Sequence, residues 1–125
     1  MKEITHHILV VEDDADMREL MGVVIQGMGL RAALARDADE ALEVFSKNPD
    51  ISLVLLDLGL SGTCVEDFVE GARCLRTSQS VKLILASGRD NLADEARRLQ
   101  ADAILAKPFD LSKLESTILK TLESR

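Results

Sequence analysis

Apolar positions follow two alternating rhythms along the chain. Short apolar runs occur at His7 to Val11, Arg31 to Ala35, Ile51 to Asp57, Val81 to Ala86 and Ala103 to Ala106. Runs of this length with little internal polarity suit strands buried on both faces, the Arg31 run being the weakest. Between them apolar residues recur at helical spacing. The sets are Met17, Leu20, Met21, Val24 and Met28, then Leu42, Val44 and Phe45, then Val65, Phe68, Val69, Ala72 and Leu75. Leu92, Ala96 and Leu99 form a fourth, sparsely apolar helix, and Leu111, Leu114, Ile118 and Leu122 a fifth. Asp14 is placed to cap the first helix, which Gly27 and Gly29 stop, and Asp37 to Glu40 resembles a capping box for the second. Five strand–helix repeats predict an α/β fold of three layers, a five-stranded parallel sheet between helices with right-handed crossovers. No linker, low-complexity segment or repeat divides residues 1–125, so the whole chain reads as one domain.

The central run, ISLVLLD, is the most apolar of the strands and ends abruptly at Asp57, with Gly59 and Gly62 close behind. A carboxylate at the carboxyl end of a buried strand lies where open α/β sheets bind ligands. On this stretch alone, a helix cap is an equally open reading of Asp57.

Composition narrows the function. The net charge of −7 argues against a basic nucleic-acid face, and three Phe with no Trp or Tyr leave no base-stacking platform. No apolar run approaches the roughly 20 residues of a membrane span, and the first residues lack the apolar core of a secretory signal. Cys64 and Cys74, read as sharing one helix, would lie roughly 15 Å apart along it, too far for a disulfide. Two unpaired thiols suit a reducing, cytoplasmic setting. His6 and His7 read as an exposed pair, and Arg97-Arg98 as a solvated face.

In a parallel sheet, the strand ends carrying Glu12-Asp13, Asp57, Ser87 and Lys107 all share one edge. Three carboxylates gathered there repel one another unless a cation sits among them. Hard oxygen ligands with room for water favour Mg²⁺, which commonly bridges carboxylates to a phosphoryl group. Lys107 offers a point charge for phosphoryl oxygen, Ser87 a neutral donor, and Asp57 a nucleophile able to form an acyl phosphate.

The segments HILVVEDDAD, LVLLDLGL, ILASG and ILAKPF resemble, in order and over nearly the whole chain, the receiver domain of two-component response regulators. The resemblance implies a flavodoxin-like (βα)5 fold with strand order 2-1-3-4-5, and a cis Lys107-Pro108 peptide. It implies Asp57 as phosphoacceptor, Lys107 as the lysine that pairs with the phosphoryl group, and Ser87 as the switching hydroxyl. Mg²⁺ would be held by Asp13, Asp57 and the Gly59 carbonyl, with Glu12 acting mainly through water. The implied partners are a histidine kinase or histidine-phosphotransfer protein, and an output partner on the face between the fourth and fifth helices. The implied role is a signalling phosphoacceptor that assists its own phosphorylation and dephosphorylation.

Three positions depart from the family pattern. Ser61 and Val65 stand where Pro and Gly are usual, and Ile104 replaces the aromatic residue of the usual switch. The β-branched Ile104 is stiff at χ1, so the output signal is expected through residues 87–99. Three other functions compete with this one. A receiver-like module that only binds partners would have no need of Asp57, Asp13, Ser87 and Lys107 together. A phosphatase with an Asp nucleophile would want a second Asp where Gly59 stands. A flavin module of the same strand order would not put Glu12-Asp13-Asp14 in its phosphate loop.

Overall fold

The structure, a computed structural model, describes residues 6–59, 65–75 and 81–123. Its strands are β1 (His7–Val11), β2 (Arg31–Ala35), β3 (Ile51–Asp57), β4 (Lys82–Ser87) and β5 (Ala103–Ala106). They alternate with the helices α1 (Ala15–Gly27), α2 (Ala38–Lys47), α3 (Val65–Leu75), α4 (Leu92–Arg98) and α5 (Leu111–Glu123). All pairings are parallel, and the order is β2-β1-β3-β4-β5. This is the expected flavodoxin-like order.

Alternation along each strand divides the core into two layers. Leu9, Val11, Val54 and Leu56 pack under α2, α3 and α4 through Phe45, Phe68, Val69, Leu92, Ala96 and Leu99. Ile8, Val10, Leu53, Leu55 and Ile84 face α1 and α5 through Met21, Ile25, Leu114 and Ile118. The helical stripes drawn from sequence are wider than the sheet can cover: Leu20, Leu75 and Leu111 are exposed.

Local chemistry sets the helix ends. Asp14 Oδ1 accepts from Asp16 N at 2.9 Å and Met17 N at 3.1 Å, so it caps α1 as expected. Gly27 does not stop α1 but is its last helical residue. The stop is Gly29, at φ +81°, whose N–H bonds Gln26 O while Leu30 N bonds Ile25 O. Asp37 Oδ1 accepts from Glu40 N at 2.8 Å, but the Glu40 carboxylate reaches back to Arg36 N, one residue before the cap. Helix α4 begins at Asn91 with no side-chain cap and ends in the same double bond pattern as α1, with Gln100 at φ 57°. Arg73 of α3 secures that end, donating to Leu99 O at 2.8 Å.

The histidine expectation is overturned. His7 is buried, and its Nδ1 lies 3.0 Å from Asp50 Oδ1; Asp50 in turn pairs with Arg31. His6 is half-buried, with Nδ1 3.1 Å from Ser52 Oγ. A polar residue opening a buried strand needs a partner, and here the partners come from β2 and from the α2–β3 junction. Arg98 is more engaged than a solvated face implies. It pairs with Glu95 and, 2.9 Å away on α3, with Glu66. Cys74 is an exposed free thiol on α3, whereas Cys64 and Ser61 lie outside the described residues.

Candidate functional site

Chain direction and register bring the sequence-predicted residues to one sheet edge. Asp57 is the last residue of β3 and pairs in register with Ala86; Ser87, the last of β4, pairs with Ala106. Glu12 follows β1, its N–H bonded to Ala35 O at 3.0 Å, which carries the sheet pattern one residue past the strand. Lys107 follows β5, and its N–H donates to Ser87 O at 2.9 Å. The Lys107-Pro108 peptide is cis, as the resemblance implied.

Carboxylate oxygens of Glu12, Asp13 and Asp57 all lie within 4.8 Å of one another. Glu12 and Asp57 are buried and Asp13 is exposed, so the cluster has a sealed floor and an open mouth. Three hard oxygen donors, one of them facing water, fit an ion that keeps part of its hydration shell. Gly59 borders the cluster. Its N–H donates to Asp57 Oδ1 at 3.1 Å, and a Cβ at this position would rest 3.6 Å from the same oxygen.

Lys107 sits nearer Glu12 than Asp57. Its Nζ is 2.8 Å from Glu12 Oε1 and 3.5 Å from Asp57 Oδ1, an asymmetry that the sequence did not signal. Burial alone would lower the Lys107 pKa. The hydrogen bond to Glu12 and the charges of Asp57 and Glu12 outweigh it and hold the ammonium above its ordinary value. Ser87 is buried, and its Oγ accepts from Arg89 N at 3.0 Å, which leaves the hydroxyl proton free to be donated elsewhere. Arg18, not singled out from sequence, donates from Nη1 to Glu12 O at 2.9 Å. One signal was available. Arg18 lies in the opening turns of α1 among Asp14, Asp16 and Glu19, where the helix dipole disfavours a cation.

Glu12 carries a testable pH signature. Burial raises its carboxyl above the ordinary 4.5; the Lys107 hydrogen bond opposes this, and Asp57 adds to it. The folded state thus binds this proton more tightly than the unfolded chain. The stability it contributes is complete below about 4.5 and is lost as pH rises through the higher folded value. In chelator, Glu12→Gln should therefore lose less stability than the wild type between about pH 4 and about pH 7. Urea melts at both values measure this, and identical pH slopes would contradict it.

The response regulator receiver domain profile matches residues 8–119. The chain is 31% identical over 121 residues to the DNA-binding response regulator MtrA of Mycobacterium tuberculosis, covering 94% of this chain and 51% of that protein. It is 34% identical over 112 residues to the aerobic respiration control protein ArcA of Escherichia coli, covering 88% and 45%. It thus spans about half the length of these relatives. A solved CheY-like receiver domain from Methylobacillus flagellatus superposes with a TM-score of 0.82 at 30% identity, covering 96% of this chain and 100% of that one. With the acidic cluster and Lys107 in place on this fold, the chain belongs to the response regulator receiver domain family of two-component signalling.

Proposed function

We propose that Asp57 accepts a phosphoryl group from a phosphohistidine on a histidine kinase or a histidine-phosphotransfer protein. The meeting of Asp57, Asp13 and Glu12 with Lys107 at one sheet edge is the observation that carries this reading. An Asp57 oxygen bonds to phosphorus as the phosphorus–nitrogen bond breaks, and the imidazole leaves with the electron pair. Asp13, Asp57 and the Gly59 carbonyl would hold Mg²⁺, with Glu12 acting through water, and the ion would supply positive charge to offset that of the carboxylates and the phosphoryl oxygens. Lys107 swings from Glu12 toward the phosphoryl group, and the Ser87 hydroxyl donates to it. Most of the work is positioning and charge neutralisation, as phosphoryl transfer requires. The domain is in this sense a switch that assists its own phosphorylation and dephosphorylation, not an enzyme acting on a separate substrate.

Residues 1–125 form one receiver domain in this reading, working in the cytoplasm. Among the described residues no helix is long and apolar enough to cross a membrane. The acidic balance of −7 argues against direct nucleic-acid contact by this domain. Output runs through the face from α4 to α5. Ile104 is 43% exposed and has no ring to bury, whereas α4 is short and uncapped at Asn91. Residues 87–99 are therefore the element that shifts.

Incubation with Mg²⁺ and acetyl phosphate tests the reading. Intact mass should show one added phosphoryl group, lost in chelator, and hydrogen exchange should change across residues 87–99. A chain left unmodified beside a labelled control receiver would favour the partner-binding alternative. Exchange changes confined to β5 around Ile104 would sink the proposed output path.

A further inference from the structure

We infer that Arg18 is a positioning residue for the metal site, fixing the direction in which Asp13 presents its carboxylate. This rests on the metal-site reading above and adds a residue outside the expected ligand set. Arg18 follows a run of acidic residues, and its exposed neighbours Asp14, Asp16 and Glu19 are close in sequence. Among the described residues, however, its guanidinium makes no ion pair with any of them. It reaches back across the β1–α1 turn to the backbone carbonyl of Glu12 at 2.9 Å.

That carbonyl matters because of what shares its peptide plane. The Glu12 C=O and the Asp13 N–H belong to one rigid amide, so holding the oxygen fixes the plane from which the Asp13 Cα departs. The plane on the other side of Asp13 is also held, by Asp14 N donating to Glu12 Oε2 at 3.3 Å. The plane before Glu12 is held by its N–H bond to Ala35 O. Asp13 is thus the exposed residue of a turn whose three successive peptide planes are each tied down, and among the described residues Arg18 is the only side chain outside the turn that supplies one of those ties. Glu12 is 1% exposed, so without Arg18 its carbonyl would lack a partner and the plane would rotate to find one. Asp13 would rotate with it.

Charge and positioning predict opposite signs, which makes the inference testable. Removing a nearby positive charge should, by Coulomb's law alone, tighten cation binding. Losing an outer residue that orients a ligand should weaken it, typically by about tenfold or more. The chain has no Trp or Tyr for fluorescence, so calorimetric Mg²⁺ titration of wild type, Arg18→Met, Arg18→Gln and Arg18→Lys is the measurement, with urea melts in chelator alongside. Arg18→Met and Arg18→Gln should each weaken Mg²⁺ binding about tenfold. Arg18→Lys, which keeps a donor on a long stem, should recover most of the loss. Unchanged or tighter binding in the Met and Gln variants overturns the inference, as does a loss of stability with Mg²⁺ affinity intact. A wild type that fails to bind Mg²⁺ overturns the metal-site reading itself, and the inference with it.

Discussion

Asp57→Asn should yield a folded protein that takes no phosphoryl group. The amide keeps the shape of the carboxylate but lacks its nucleophilic oxygen. Uptake from acetyl phosphate should fall below about one-thousandth of the wild-type rate, the scale seen when a nucleophile is removed. Folding should not suffer. Asp57 is one of the groups that push the Glu12 carboxyl upward, so its charge works against the buried cluster. Lys107 keeps its nearer partner, Glu12, at 2.8 Å. Losing a site charge therefore removes function while relieving repulsion, the trade expected where like charges are gathered for chemistry. Intact mass and a urea melt on one preparation check both halves. Wild-type labelling in the variant would remove Asp57 from its assigned role.

Phe45→Ala should be the most damaging single truncation in the core. Phe45 of α2 and Phe68 of α3 are fully buried and meet edge to face, with centroids 6.3 Å apart at 76°. They bind two neighbouring helices over the sheet face formed by Leu9, Val11 and Leu56. Truncating a buried Phe costs about 3–5 kcal/mol, a large share of the roughly 5–15 kcal/mol that holds a domain of this kind together. Tm should fall by on the order of 10–20 °C. The double variant with Phe68→Ala should be less destabilised than the sum of the singles, by about 0.5–1.5 kcal/mol for the ring pair. A Phe45→Ala loss below about 1 kcal/mol would mean that this layer repacks far more freely than its burial implies.

The strands were the most legible part of the sequence, and the reason is physical. β1, β2, β3 and β5 have the predicted limits. β1 and β3 are buried along nearly their whole length and so had to be apolar, whereas the edge strands β2 and β5 are only partly covered and leave Leu34 and Ile104 exposed. β4 runs one residue later than predicted, since Lys82 enters the sheet half-buried and Ser87 stays within it. Helical spacing identified each helix but overcounted the core, as Leu20, Leu75 and Leu111 show. Periodicity reports which residues share a stripe, not how wide a stripe the sheet can cover.

Contacts between elements were the illegible part. His7 looked exposed because its partners, Asp50 and Arg31, are 43 and 24 positions away. Topology was enough to gather Glu12, Asp13, Asp57, Ser87 and Lys107 at one edge. It carried no information on which carboxylate Lys107 would choose, because that is decided by distances of an ångström within the cluster. Arg18 was missed for a related reason. Its partner is a backbone carbonyl, which every residue has, so the one available signal, a cation in the opening turns of α1, pointed to no particular contact.

The central claim is that the phosphoryl group resides on Asp57, and locating it by peptide mass mapping is the direct test. After labelling with Mg²⁺ and acetyl phosphate, the acyl phosphate is trapped by borohydride reduction and the chain is cleaved and sequenced by mass. The account predicts a single modified position, Asp57, in the peptide that contains β3. A phosphoryl group on His6, His7 or another carboxylate, with Asp57 unmodified, would contradict it.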